Sequence, residues 1–127
     1  MTEALPRVLL IEDDRELQGL LARLLARRFS VLTTDSSIDA LAILDLGLPF
    51  VAILCDLRLE RLSGIDLYAK VLRLGGPAER FIFMTGSDGT ELRRAIASVG
   101  KGRVLLKPFG RAALFDCIAG LAIPGRT

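Results

Sequence analysis

The chain has 127 residues, of which 51% are hydrophobic and 25% are charged, so it is long enough for one globular domain and too apolar to be disordered. Its net charge is +2, and no arginine run is dense enough to indicate nucleic-acid binding. No apolar run approaches the ~18 residues that a membrane span needs.

The first third of the chain sets a pattern in which a short apolar run precedes an amphipathic stretch. The run at 7–11 predicts a buried strand. The stretch at 15–29 predicts a helix, because its leucines recur at the i, i+3, i+4 spacing of one helical face. A second strand is predicted at 30–34. Ser36 or Ser37 is a candidate N-cap for the helix that follows at 38–46.

The same alternation continues to the end of the chain. It predicts, in order, strand 50–55, helix 64–74, strand 80–85, helix 90–99, strand 103–107 and helix 111–121. Five apolar strands that alternate with helices are typical of a parallel sheet covered on both faces. We therefore predict an α/β fold that forms one domain over residues 1–127, with its core at 6–122 and short tails.

The cysteines and the N-terminal residues bear on the compartment. Cys55 and Cys117 lie in apolar segments without metal-ligand spacing, which predicts buried free thiols in a reducing environment. The first ten residues lack the basic, apolar and small-residue regions of a secretion signal. We expect a cytoplasmic protein.

Charge is divided unevenly along the chain. Residues 1–69 carry seven basic and eleven acidic side chains, a net charge of −4, whereas residues 70–127 carry ten basic and four acidic ones, a net charge of +6. The simplest interpretation is a solvated surface of uneven composition. The alternative is an acidic site built by the first half and a basic, partner-facing surface built by the second.

Polar residues stand where the predicted strands end. In a parallel sheet, ligands gather at the carboxyl ends of the strands. Each such residue alone has an ordinary explanation, such as a favourable charge at a helix N-terminus, but their convergence on one edge indicates a site. The set consists of Glu12, Asp13 and Asp14 after the first strand, Asp56 after the third, Thr85 and Gly86 at the end of the fourth, and Lys107 at the end of the fifth.

The chemistry of this set favours a metal-assisted phosphoryl site. Neighbouring carboxylates repel by about 4 kcal/mol per pair at 4 Å and an effective dielectric constant of 20, so they need a cation. Hard oxygen ligands suit Mg²⁺, whereas the lack of histidine and of paired cysteines argues against zinc. A carboxylate beside Mg²⁺ can form an aspartyl-phosphate. Thr85 and Lys107 could then supply a hydroxyl and a fixed cation to the phosphoryl oxygens on Asp56.

Four motifs in register carry a family resemblance. The stretches "LLIEDD", "LCDLRLERLSG", "FIFMTG" and "LLKPF" make residues 6–122 resemble a receiver domain of the two-component response regulators. The resemblance implies a five-stranded parallel sheet in the order 2-1-3-4-5, with helices on both faces, as in flavodoxin-like folds.

The resemblance also implies roles for individual residues. Asp56 would accept a phosphoryl group from the phosphohistidine of a histidine kinase or histidine phosphotransfer protein. Thr85, Gly86 and Lys107 would contact that group, and the Lys107–Pro108 bond would be cis. The domain would assist its own phosphorylation and dephosphorylation, as a signalling switch rather than an enzyme in its own right.

For the metal, the resemblance implies Mg²⁺, with Mn²⁺ as a possible substitute. Asp13, Asp56 and the backbone carbonyl of Arg58 would be direct ligands, and Glu12 would act mainly through water. The glycine eight residues beyond the acceptor, Gly64, belongs to the same motif.

Three departures from the family pattern affect the loop at 57–63, the lifetime of the phosphoryl group and the way in which phosphorylation reaches a partner. Glu60 stands where most members have proline, and Val104 stands where they have tyrosine or phenylalanine. Arg58 and Ser87 occupy positions that tune phosphoryl lifetime in the family. Because Val104 is small and stiff, we expect phosphorylation to act by ordering the loop 86–90.

The partner surface would then lie on the fourth helix, fifth strand and fifth helix. We expect it to be a basic face near Arg93, Arg94 and Arg103 that binds a downstream protein. A homodimer is possible, and we expect neither direct nucleic-acid binding nor membrane association.

Alternatives remain at this point. A haloacid-dehalogenase-like phosphatase would need an aspartate two residues after the nucleophile, where Arg58 stands. A degenerate receiver that only binds partners would lack an acceptor, an acid or the lysine, and none is lost. The domain could be a stand-alone regulator, or a module cut from a hybrid sensor kinase or a multidomain regulator.

Overall fold

A computed structural model describes residues 4–86 and 89–121. The five strands are β1 (Arg7–Ile11), β2 (Ser30–Thr34), β3 (Ala52–Asp56), β4 (Phe81–Thr85) and β5 (Val104–Leu106). They form one parallel sheet in the order β2-β1-β3-β4-β5. This is the predicted α/β topology, and it brings the carboxyl ends of β1, β3, β4 and β5 to one edge.

Five helices connect and follow the strands, with 3-10 turns at Ala78–Arg80 and Lys101–Arg103. Side chains cap the first three helices at their N-termini: Asp14 accepts from the Leu17 N–H, Ser36 from Asp39 and Ser63 from Asp66. Such caps satisfy N–H groups that have no partner within the helix. The helices are α1 (Arg15–Leu25), α2 (Ser37–Asp45), α3 (Gly64–Arg73), α4 (Thr90–Val99) and α5 (Arg111–Ala119).

The sheet separates two hydrophobic cores. Alternate residues of each strand point to opposite faces, so Leu10 packs with residues of α1 and α5 while Leu9 packs with residues of α2, α3 and α4. The central strands β3 and β4 are buried throughout, as expected when both faces are covered. The two cores pack against both faces of the sheet beneath the edge where the polar residues meet.

Several predicted boundaries are wrong by one to four residues. The helix predicted at 15–29 ends at Leu25, because the chain turns there and the Phe29 ring stacks on Phe115 at 6.1 Å between centroids. The strand predicted at 50–55 spans 52–56, which makes Asp56 its last residue. The predicted fifth strand loses Arg103 to a 3-10 turn, and Arg103 donates hydrogen bonds to the carbonyls of Phe81 and Ala78, each at 2.8 Å.

The two thiols differ in environment. Both cysteines are free, and Cys55 is buried, as predicted. Cys117 is only half-buried, and its thiol donates to the Gly102 carbonyl at 3.2 Å. Among the described residues, no helix has the length and apolar character needed to cross a membrane.

Candidate functional site

Three carboxylates from two neighbouring strands form a tight cluster at the carboxyl edge of the sheet. Glu12 and Asp13 follow β1, and Asp56 ends β3. One carboxylate oxygen from each of the three lies within 4.8 Å of the others. Glu12 is completely buried and Asp56 nearly so, while Asp13 is exposed. The parallel pairing of β1 with β3 produces this convergence.

Backbone and side-chain hydrogen bonds fix Glu12 in place. Its N–H donates to the Thr34 carbonyl at 3.0 Å, and its carbonyl accepts from the Gln18 amide at 2.9 Å. Its Oε2 accepts from the Asp14 N–H at 3.2 Å. The Asp14 carboxylate itself turns away to cap α1, so this third acidic residue of the run supports the helix and does not join the cluster.

Lys107 follows β5, the last strand in the sheet order, and its side chain reaches the carboxylate cluster. Its Nζ lies 2.8 Å from Glu12 Oε1 and 3.5 Å from Asp56 Oδ1. The Lys107 N–H donates to the Thr85 carbonyl at 2.7 Å, which extends the pairing of β4 with β5 by one residue. The Lys107–Pro108 bond is cis, the isomer that the family resemblance implies.

The charges of the cluster perturb its titration. Burial raises the pKa of Glu12; the hydrogen bond from Lys107 opposes this shift, and the charge of Asp56 adds to it. Burial and the Glu12 charge raise the pKa of Asp13. Burial alone would lower the pKa of Lys107, but the Glu12 hydrogen bond and the charge of Asp56 outweigh it, so the pKa is raised. Burial and the neighbouring negative charges thus both disfavour the ionised forms of Glu12 and Asp13.

A cavity of about 250 Å³ opens in front of Asp56. Thr85 is the last residue of β4 and is almost completely buried, whereas Gly86 is exposed. The volume exceeds that of a phosphoryl group, and its walls offer a carboxylate, a hydroxyl and two cations. The lining residues are Asp56, Arg58, Thr85, Gly86 and Lys107.

The loop after Asp56 folds back tightly on the strand. The Leu57 N–H donates to the Met84 carbonyl at 3.1 Å, and the Gly64 N–H donates to the Leu57 carbonyl at 2.9 Å. A Cβ at position 64 would clash with the Asp56 carbonyl oxygen and lie 3.0 Å from the Leu57 Cα. Only glycine allows this approach, so Gly64 sets how the loop leaves the acceptor candidate.

Two contacts of the loop were not predicted from the sequence. The Arg58 Nε lies 3.3 Å from the Glu91 Oε2, which ties the loop to the first turn of α4. The Ser37 hydroxyl bonds to the loop at Glu60 and Leu62. For the Ser37 contact, the sequence offered one signal. A helix needs only one of two consecutive serines as its N-cap, so the other serine of the Ser36-Ser37 pair was free for another contact.

The residues of the predicted partner surface fall into different environments. Arg93 and Arg94 are exposed on α4. The Arg103 guanidinium is instead engaged by backbone carbonyls, so it supports the turn before β5. Val104 is half-buried against the core on the α2–α4 side. Ser87 and residue 88 of the predicted switch loop lie outside the described residues.

The donor set fits a hard divalent cation. Three carboxylates face one lysine, so at least one negative charge remains after Asp56 and Glu12 share Lys107. Carboxylate oxygens at this separation are the ligands that Mg²⁺ takes, together with water. Asp13 is exposed and can supply a ligand from the solvent side.

A family model for the response regulator receiver domain matches residues 8–119. The chain is 34% identical over 120 residues to the transcriptional regulatory protein FixJ of Azorhizobium caulinodans, covering 93% of this chain and 55% of that protein. It is 29% identical over 118 residues to the hydrogenase transcriptional regulatory protein HoxA of Cupriavidus necator, covering 93% of this chain and 24% of that protein. The chain thus spans about a quarter of the length of one of these relatives and about half of the length of the other.

Solved structures share the fold. The receiver domain of sensor histidine kinase PA1611 from Pseudomonas aeruginosa, solved with a magnesium ion in its active-site cleft, aligns with a TM-score of 0.83 at 23% identity, covering 93% of this chain and 98% of that one. A CheY-like receiver domain from Methylobacillus flagellatus aligns with a TM-score of 0.75 at 25% identity, covering 94% of this chain and all of that one.

Proposed function

The chain belongs to the response regulator receiver domain family, and from this membership we propose that it is a phosphorylation-dependent switch whose phosphoacceptor is Asp56. One observation carries the assignment of the acceptor. Asp56 ends β3 and lines the cavity of about 250 Å³, with the Lys107 Nζ 3.5 Å from its Oδ1. Among the three clustered carboxylates, Glu12 is completely buried, and Asp13 is absent from the cavity lining.

The proposed reaction is a phosphoryl transfer from histidine to aspartate. A carboxylate oxygen of Asp56 attacks phosphorus, and the bond from phosphorus to the donor's histidine nitrogen breaks. The donor ring is protonated on its other nitrogen, so it leaves as neutral imidazole. Lys107 balances the charge that collects on the phosphoryl oxygens. The Thr85 hydroxyl and the Gly86 backbone complete the pocket, because preformed donors stabilise such charge without reorganising.

The metal would sit on the open side of the carboxylate cluster. Asp13 and Asp56 would bind Mg²⁺ directly, the Arg58 carbonyl would be a third ligand, and Glu12 would hold a bound water. Mn²⁺ could take the same ligands. Bound there, the ion would screen the carboxylates from one another and polarise the phosphoryl oxygens.

The fate of the phosphoryl group depends on the same residues. We propose that the domain also loses the group by attack of water, so that it catalyses part of its own cycle. A haloacid-dehalogenase-like phosphatase is disfavoured. Such an enzyme needs a general acid two residues after the nucleophile, and Arg58 occupies that position with its side chain bonded to Glu91.

The curated relatives suggest the wider context. Both are longer transcriptional regulators, so we propose that this receiver controls an effector, with a histidine kinase or histidine phosphotransfer protein as donor. A place within a hybrid sensor kinase is the alternative. The proposed effector surface consists of α4, β5 and α5, with Arg93 and Arg94 among its exposed cations. Homodimerisation through this surface is compatible with the proposal.

The switch itself is proposed to run through the start of α4. Gly89 precedes this helix with a φ of 81°, and Glu91 in its first turn binds Arg58 beside the cavity. A phosphoryl group on Asp56 would attract both Thr85 and Arg58. Loop 86–90 and the first turn of α4 would rearrange together.

Incubation with acetyl phosphate and Mg²⁺ tests the proposed function. Intact-mass analysis should show one added phosphoryl group on the native chain, and none on Asp56→Asn or after chelation of the metal. Asp14→Asn is the matched control, because asparagine caps a helix as well as aspartate does and Asp14 does not belong to the cluster. Equal labelling of Asp56→Asn and native protein would refute the assignment.

A further inference from the structure

The second serine of α2 makes a contact that helix formation does not require. Ser36 already caps α2 by accepting from the Asp39 N–H at 3.2 Å. Ser37 is 1% exposed, and its hydroxyl points out of the helix. It donates to the Glu60 carbonyl at 3.2 Å and accepts from the Leu62 N–H at 3.4 Å. One buried hydroxyl thus bridges two backbone groups of the loop after Asp56.

The part of the loop held by Ser37 is a tight turn. Arg61, between the two bonded residues, has a φ of 73°, a left-handed conformation that is unfavourable for a residue with a side chain. The Leu62 N–H also lies 3.0 Å from the Glu60 carbonyl. The Ser37 bonds flank the strained residue on both sides, so they offset its conformational cost.

The loop has fixed points at its two ends, and Ser37 supplies one in between. Leu57 is anchored to Met84, and Gly64 is anchored to Leu57. Glu60 itself is exposed and brings none of the rigidity of a proline ring. Between the anchors, the Ser37 hydroxyl restrains the backbone from a second element, α2.

We propose that Ser37 is a positioning residue for the divalent-cation site, holding loop 57–63 in the conformation that presents its backbone beside Asp56 to the ion. The inference rests on the proposed function, because it assumes that Mg²⁺ binds at the carboxylate cluster. Ser37 touches neither the ion nor the phosphoryl group. It acts by reducing the number of conformations available to the loop that carries the Arg58 carbonyl.

The test compares the Mg²⁺ affinities of Ser37→Ala and Ser36→Ala. Each affinity is measured from the amide chemical shifts during a Mg²⁺ titration, without any phosphodonor. Ser37→Ala should weaken Mg²⁺ binding about tenfold, the low end of the effect of removing a direct partner of a ligand, because Ser37 holds the loop that carries the Arg58 carbonyl and does not bond to the ligand itself. Ser36→Ala is the matched control: it removes the side-chain cap of α2, leaves the loop contact, and should keep native Mg²⁺ affinity within about twofold. Ser37→Thr restores a hydroxyl and should recover most of the affinity. Equal affinity of Ser37→Ala and Ser36→Ala would overturn the inference.

Hydrogen exchange on the native chain gives a second readout that needs no variant. If the loop conformation promotes Mg²⁺ binding, Mg²⁺ must in turn stabilise that conformation. Exchange of the Leu62 N–H should therefore slow when Mg²⁺ is added. Should Ser37→Ala fail to fold, this measurement decides, and an unchanged Leu62 rate contradicts the proposal. A native chain that binds no Mg²⁺ would instead refute the metal site of the proposed function.

Discussion

Lys107 is bound more closely to Glu12 than to Asp56: the Nζ lies 2.8 Å from the Glu12 Oε1 and 3.5 Å from the Asp56 Oδ1. The completely buried Glu12 thus takes the shorter bond. A phosphoryl group on Asp56 would compete with Glu12 for this ammonium group. We infer that phosphorylation moves Lys107 away from Glu12 and toward the phosphoryl oxygens.

Removing the lysine should destabilise the metal-free protein. Lys107→Ala leaves Glu12 buried without its cation, and breaking such a pair costs about 3 kcal/mol. Urea denaturation near neutral pH should show this loss in the free energy of unfolding. Lys101→Ala, at an exposed lysine outside the site, should change it by less than about 0.5 kcal/mol. If the urea midpoints of Lys107→Ala and Lys101→Ala were indistinguishable, the pair of Lys107 and Glu12 would contribute little to stability.

Mg²⁺ binding should depend on pH in the weakly acidic range. The folded-state pKa of Glu12 is raised above its ordinary value of 4.5, so the metal-free fold retains this proton to higher pH than the unfolded chain does. The stability that this protonated carboxyl contributes is present below pH 4.5, and it is lost as the pH rises through the pKa of the folded state. A cation favours the ionised carboxylates, so binding releases protons.

Calorimetry tests this linkage. Titrations of Mg²⁺ at about pH 5, in two buffers of different ionisation enthalpy, should report proton release and weaker binding than at about pH 8. In Glu12→Gln, which cannot ionise at this position, the proton release should shrink. Proton release that is equal at both pH values would exclude Glu12 as its source.

Adding one methyl group at Gly64 should distort the acceptor loop. In Gly64→Ala, the new Cβ meets the backbone of Asp56 and Leu57, and backbone cannot move aside as a flexible side chain does. We expect a loss of stability of about 2 kcal/mol and loss of Mg²⁺ binding. Gly19→Ala is the control, because a Cβ there meets nothing within 4 Å and should stabilise α1 by about 0.5–1 kcal/mol. Normal Mg²⁺ affinity in Gly64→Ala would show that the loop tolerates the displacement.

The signal should travel through α4 without an aromatic switch on β5. With beryllofluoride and Mg²⁺, the largest changes in amide shifts and hydrogen exchange are expected within residues 86–99. Val104→Ala should cost about 1 kcal/mol of stability and leave those changes intact, whereas Glu91→Gln, which weakens the bond to Arg58, should alter them in the first turn of α4. Changes concentrated in α1 and α2 would contradict this route.

The sheet and its functional edge could be predicted because both depend on local sequence patterns. Apolar runs predicted all five strands, and four of them, all but β2, ended at or next to a polar residue that lies at the site, as with Asp56 and Lys107. The parallel topology then required these ends to meet. The roles proposed for the site residues came from the motifs and the family resemblance.

Contacts between distant segments could not be predicted in this way. Ser37 lies 23 residues from Glu60, and nothing in the local sequence of either residue specifies the other. Arg58 and Glu91 are 33 residues apart. The end of α1 was likewise missed, because Phe29 leaves the helix to stack on Phe115, a residue of α5.

The location of the phosphoryl group is the most direct test of the account. After treatment with acetyl phosphate and Mg²⁺, borohydride reduction converts an aspartyl-phosphate into homoserine, and peptide mass spectrometry then identifies the modified position. The account predicts homoserine at position 56 alone, and none when the metal is chelated. Modification at Asp13 or Glu12 in place of Asp56, or labelling that persists without metal, would contradict it.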